Sequence, residues 1–128
     1  MTIKEIEELH KYLSNIDTSN YNVYVLYAIE KNKSILSEEL KIKENVLKIL
    51  ATEEIVECDT KIRELKGNDL EKYINENLEL INRYNKVTSD INDLINIDID
   101  VKLFTIDDSY LPDEINIDDM KAIMSFLK

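Results

Sequence analysis

Glycine and proline are nearly missing from this chain of 128 residues: Gly67 and Pro112 are the only ones, and there is no tryptophan. So few breakers leave long helices free to run, and they exclude most active sites built on glycine-rich loops. Cys58 is the only cysteine, so no intramolecular disulfide can form and a reducing compartment is expected. Bases are scarce as well: 16 Lys and Arg stand against 27 Asp and Glu, a net charge of −11. Phosphate neutralisation needs clustered Lys and Arg, so direct binding to nucleic acid or to an anionic membrane is disfavoured. A basic protein surface suits this charge better. No apolar run approaches the ~18 residues of a membrane span. The start of the chain, with Glu5, Glu7 and Glu8, is too acidic for a signal or transit peptide.

What the chain does contain is 44% hydrophobic residues, enough for one folded domain despite the charge. Its richness in Ile, Asn, Lys and Glu matches an AT-rich genome, such as a low-GC bacterium or its phage. Thr2 and Glu5 have capping-box spacing, and Ile3, Ile6, Leu9, Leu13 and Ile16 follow on one helical face. Asn15 to Asn20 reads as a turn. Residues 21–29 allow a strand by their β-branched and aromatic content. With no turn signal after them, the start of a long helix is the better reading. Leu36, Leu40, Leu47, Ala51, Ile55, Cys58, Ile62 and Leu65 form a near-heptad stripe, from which Lys43 and Glu54 depart. The spacing predicts a helix from Ile35 to Leu65, roughly 45 Å long, that needs a partner along its length. Gly67 suits a left-handed C′ position and Asp69 the next N-cap, so the chain is expected to reverse at 66–69. A second helix with Leu70, Tyr73, Ile74, Ile81, Tyr84, Val87, Ile91, Leu94 and Ile95 would pair antiparallel with the first.

The pattern changes at Asn96. Residues 97–103 alternate strictly between apolar and polar, which predicts a strand. Its partner would be residues 21–27, an irregular segment or another protomer. Asp107-Asp108-Ser109 reads as a turn. Asn116 with Asp119 resembles a helix cap, and Met120, Ile123, Met124 and Leu127 are the expected buried stripe of a last helix. The predicted fold is thus mainly α: an antiparallel, coiled-coil-like hairpin at 21–95, an N-terminal helix at 1–18 and an acidic strand-turn-helix tail at 96–128, in a single domain 1–128. Residues 90–128, which include that tail, carry 10 acids and 3 bases.

Little of this composition points to chemistry. His10 has no second histidine and no evident serine or cysteine partner, and reads as an ordinary surface or half-buried residue. Cys58 lies on the apolar stripe between Glu57 and Asp59, the setting of a core cysteine rather than a reactive thiolate. The aspartates lack the glycine and the closing glutamate of a calcium loop. Catalytic residues, metal ligands and cofactors are therefore not expected. The candidate partner-binding residues are Asp98, Asp100, Asp107, Asp108, Asp113, Glu114, Asp118 and Asp119, which together could mimic a phosphate backbone. Tyr24 and Tyr27 join them, because Tyr21, Tyr24 and Tyr27 cannot all face inward on one helix and tyrosine favours interfaces.

The order of these features resembles a family of small phage and prophage proteins of helical-hairpin, prefoldin-like architecture. The likeness rests on the Tyr84-Asn85-Lys86-Val87 and Ile91-Asn92-Asp93-Leu94-Ile95-Asn96 run, the 97–103 alternation, and Pro112 and Ile115 before a short Met/Ile/Leu helix. It covers residues 20–128 and implies a phage context, a non-enzymatic role and no catalytic residues. The expected function is an acidic, anti-CRISPR-like inhibitor, in the cytoplasm of a bacterial host, of a nucleic-acid-handling or defence complex. Its partner would be a host or phage protein with a basic surface. The alternatives are a virion or tail-morphogenesis component or assembly chaperone acting through the hairpin, and an oligomeric sponge for a nucleotide signal. A homodimer through the hairpin or the strand at 97–103 is also open.

Overall fold

The computed structural model describes residues 1–128 and contains six α-helices, three single-turn 3-10 helices and no sheet. The α-helices are α1 (Ile3–Ser14), α2 (Val23–Leu50), α3 (Glu53–Glu64), α4 (Gly67–Glu76), α5 (Leu78–Ile95) and α6 (Ile117–Ile123). No helix is long and apolar enough to cross a membrane. The chain forms two compact units, one from Met1–Ile42 with Ile97–Lys128, the other from Lys43–Asn96.

The first unit holds most of the buried apolar side chains. Thr2 caps α1 as its spacing predicts: its hydroxyl accepts the Glu5 N–H at 3.2 Å while the Glu5 carboxylate accepts the Thr2 N–H at 3.3 Å. Ile3, Ile6, Leu9 and Leu13 are buried, and α1 packs on α6. The ambiguous residues 21–29 are helical from Val23. Asn22 decides this, because its Oδ1 accepts the N–H groups of Tyr24 and Val25 at 3.0 and 3.1 Å. That starts the helix despite the β-branched residues that follow.

Residues 97–103 do not form the predicted strand. Their alternation is present: Ile99, Val101 and Leu103 pack on the core while Asp98, Asp100 and Lys102 face solvent. What is missing is a neighbouring strand, since residues 23–27 are helix. The extended chain makes a single antiparallel bridge between Thr2 and Asp98, in which the Ile99 N–H donates to Met1 O at 2.7 Å. Farther on, the Asn32 side chain of α2 takes the place of a strand. Its Nδ2 donates to Phe104 O at 2.9 Å and its Oδ1 accepts the Phe104 N–H at 2.7 Å. A short parallel bridge then joins Ile106 to Leu127. The final helix is capped as expected, with the Asp119 N–H donating to Asn116 Oδ1 at 2.8 Å. Its buried stripe differs. Ala122, Ile123 and Phe126 are inside and Met124 is exposed, because the last turn, Met124–Phe126, tightens to 3-10 geometry and advances farther per residue.

In the second unit the helix predicted from Ile35 to Leu65 is two helices. α2 stops at Leu50 and Thr52 caps α3, accepting the Ile55 N–H at 3.4 Å, with Glu53 and Glu54 in the first turn where the helix dipole favours acids. The second predicted helix is likewise split at Asn77, whose ψ of 37° leaves the helical range. Gly67 has φ +58°, the only left-handed residue, but it is the first residue of α4 rather than the expected C′ position, because α3 already ends on the extended C-cap Leu65. Asp69 is not the cap. It lies in the first turn of α4, whose N-cap Lys66 makes no side-chain bond. α3 packs on α5. Arg83 grips Glu54 through two hydrogen bonds of 2.9 and 3.1 Å, and the Tyr84 hydroxyl donates to Asp59 Oδ1 at 2.6 Å. That bond holds the Asp59 carboxyl below the usual range and pushes the Tyr84 phenol up. Cys58 is buried, as a core cysteine should be, and lines a cavity together with Tyr73, whose phenol is raised chiefly by burial.

Candidate protein-binding surface

Two asparagines, Asn22 just before α2 and Asn32 within it, bracket a pair of tyrosines and fix an aromatic surface of the first unit. Asn22 Nδ2 donates to Tyr110 O at 2.7 Å, and Asn32 holds both backbone groups of Phe104. Each pins the backbone of an aromatic residue from the tail against a tyrosine of α2. Tyr24 stacks on Tyr110 with ring centroids 4.4 Å apart, and Tyr27 meets Phe104 edge-on at 5.3 Å. These are the spacings at which aromatic quadrupoles attract. All four rings remain open to solvent: Tyr24 and Tyr27 are 56% and 57% exposed, and Val23 beside them is exposed too.

Two of the candidate acids flank this face. Asp107 caps the 3-10 turn Asp108–Tyr110, accepting the Ser109 N–H at 2.9 Å, and this bond holds its carboxyl below the usual range. Asp107 and Asp108 are exposed next to Tyr110 in sequence, so aromatic area and negative charge share one turn.

The other acids do not converge on one spot. Asp98 is exposed and bonds to the Met1 nitrogen at 3.0 Å, and Asp100 projects from the extended segment. Asp113 is exposed and shares a cavity of about 420 Å³ with Asp108, Leu111 and Pro112. Glu114 is exposed as well. Asp118 borders a separate cavity of about 840 Å³ with Tyr12, Asp17 and Ile115. Asp119 departs from the expectation of a surface acid. It is buried and accepts the Tyr21 hydroxyl at 2.6 Å, because it occupies the first turn of α6 on the side that faces the core. Burial of the phenol, then the bond and charge of Asp119, pushes Tyr21 well above the usual tyrosine range. No three His, Cys, Asp or Glu side chains are placed to hold a metal ion.

His10 has the serine partner that the sequence did not suggest: its Nε2 lies 3.0 Å from Ser37 Oγ. Both residues lie within helices, where nearby backbone N–H groups are committed to helical bonds and leave no donors for an oxyanion. The contact ties α1 to α2. Sequence reasoning picked out Tyr24 and Tyr27 but missed Phe104, Tyr110 and both asparagines. One signal was available: Asn32 falls on the apolar face of Ile29 and Leu36, and a buried amide there demands a partner. No family model, curated protein or solved structure matches the chain.

Proposed function

We propose that this chain is a non-enzymatic, phage-type binding protein that docks on the basic surface of a host nucleic-acid-handling or defence complex and inhibits it. The observation that carries this reading is the pinned aromatic face beside Asp107 and Asp108. Aromatic side chains held in place lose little entropy on binding, which is why tyrosine and tryptophan dominate interface hot spots. Tyrosine faces beside carboxylates match the chemistry of arginine, which stacks on rings and pairs with acids. The net charge of −11 would steer such a partner and make the encounter sensitive to salt.

Capture from a bacterial lysate followed by binding measurements tests the reading. Tyr24→Ala with Tyr27→Ala is expected to cost about 2 kcal/mol or more of binding energy, the scale of a hot spot. Asp107→Lys with Asp108→Lys should lower the association rate and flatten its salt dependence. A partner whose affinity is indifferent to both pairs would sink the proposal. A second reading, an assembly component that works through the helical hairpin, draws support from the half-exposed apolar side chains of the second unit.

A further inference from the structure

Only three buried hydrophobic side chains, Ile55, Cys58 and Leu94, serve the second unit, against thirteen in the core cluster of the first. A unit of this size buries a smaller fraction of its surface than a larger domain does and gains less stability by itself. Its apolar residues are nonetheless plentiful. Val56 on α3 is 52% exposed and Ile49 on α2 is 76% exposed. Beside Val56 lies a cavity of about 310 Å³ walled by Ala51, Ile55, Tyr84 and Ile91.

The outer side of α3 shows what would cover this surface. Glu53, Val56, Thr60 and Arg63 recur at intervals of three, four and three, the spacing of one helical stripe, and all four are exposed. The stripe is acidic at its N-terminal end, small and uncharged in the middle and basic at its C-terminal end. Turned end for end, it complements itself. Two copies laid antiparallel place Glu53 of each against Arg63 of the other, with Val56 against Thr60 at the centre. Glu53 makes no ion pair within the chain, and Arg63 uses only its Nε, on Asp59 at 2.9 Å. Its terminal guanidinium nitrogens are left for a partner.

We propose that α3 is a self-association surface, pairing with α3 of a second copy of this chain in an antiparallel, two-fold contact. A two-fold contact uses the same patch on both subunits, so each must be its own complement. A basic partner of the kind proposed for the first unit would not need Arg63 in this stripe. The inference is independent of that function.

Sedimentation or light scattering across a range of concentrations, with circular dichroism to check folding, reads the result. The wild-type chain should pass from 15.0 kDa towards twice that mass as concentration rises. Glu53→Arg and Arg63→Glu should each weaken the dimer at least about tenfold, since each turns two attractive pairs into repulsive ones. An equimolar mixture of the two variants should dimerise again, because both pairs are then restored in the hetero-pair. So should the chain carrying both changes. Val56→Asp should abolish association while leaving the helix content unchanged. A chain that stays at 15.0 kDa at all concentrations overturns the proposal, as does a mixture of the two charge variants that remains monomeric.

Discussion

The two units of this molecule solve the problem of stability differently. In the first, side chains from α1, α2, α6 and the extended segment meet in a single cluster around Ile6, Ile29, Ile123 and Phe126, all fully or nearly fully buried. The polar groups it buries are paired: Asn32 with Phe104 and Asp119 with Tyr21. The second relies on a thin seam between α3 and α5, supplemented by exposed bonds such as Arg83 to Glu54. Such surface pairs contribute little in water. The difference teaches where each unit can afford to meet other molecules. The dense core backs an aromatic face, and the thin one leaves apolar side chains such as Val56 and Ile49 exposed.

Three changes would break or sharpen that contrast. The largest effect is expected from Asn32→Ala. It strands the N–H and C=O of Phe104 and should destabilise the first unit by about 2–6 kcal/mol, at about 1–3 kcal/mol for each orphaned group. Urea unfolding measures it, and the edge-on contact of Tyr27 with Phe104 should loosen with it. A cost below about 1 kcal/mol would mean that water replaces the amide and the segment is not held as described.

Next comes Tyr21→Phe, at about 1.5–3 kcal/mol near neutral pH, the range for a hydrogen bond to a charged group. Its pH dependence has a definite sign. The folded pKa of Tyr21 lies above its unfolded value, so the stabilisation is complete below the ordinary tyrosine pKa of about 10 and is lost as pH rises beyond it. The stability gap between wild type and Tyr21→Phe should therefore stay level from neutral pH to about 10 and close above that. A gap that stayed level far above pH ~10 would contradict the pairing.

The smallest effect should come from the second unit. Thr52→Ala removes the cap of α3 at a cost of about 1 kcal/mol. Hydrogen exchange should show faster opening in α3 with α1 unaffected. Equal acceleration in both would show that the two units open together, and the contrast between them would disappear.

Much of the helical plan was legible in the residues. The Thr2–Glu5 and Asn116–Asp119 caps, the reversal at Gly67 and the inward alternation of Ile99, Val101 and Leu103 depend on neighbours a few positions apart, and pattern reads those. The break between α2 and α3 was hidden by apolar periodicity: the stripe runs on through Ala51 and Ile55, and it masked the Thr52-Glu53-Glu54 start signal. Asn32 joins Phe104 across 72 positions, and no local rule could match them. For the candidate surface, charge counting grouped Asp119 with the exposed acids. Burial depends on which side of α6 meets the core, which the count does not contain. The tyrosines were chosen for their number on one helix, but their partners lie more than seventy residues away.

The first unit is assembled from both ends of the described chain, with residues 43–96 made in between. During synthesis α1 and the start of α2 leave the ribosome well before Phe104, Tyr110 and Phe126 exist. Their apolar faces must wait, while the short-range contacts of α3 to α5 can already form. Because Tyr24 and Tyr27 find their ring partners only in the last third of the chain, the aromatic face arises as a final act of folding. A truncated or stalled product would carry the tyrosines and lack the surface, so recognition through that face would report that folding has finished.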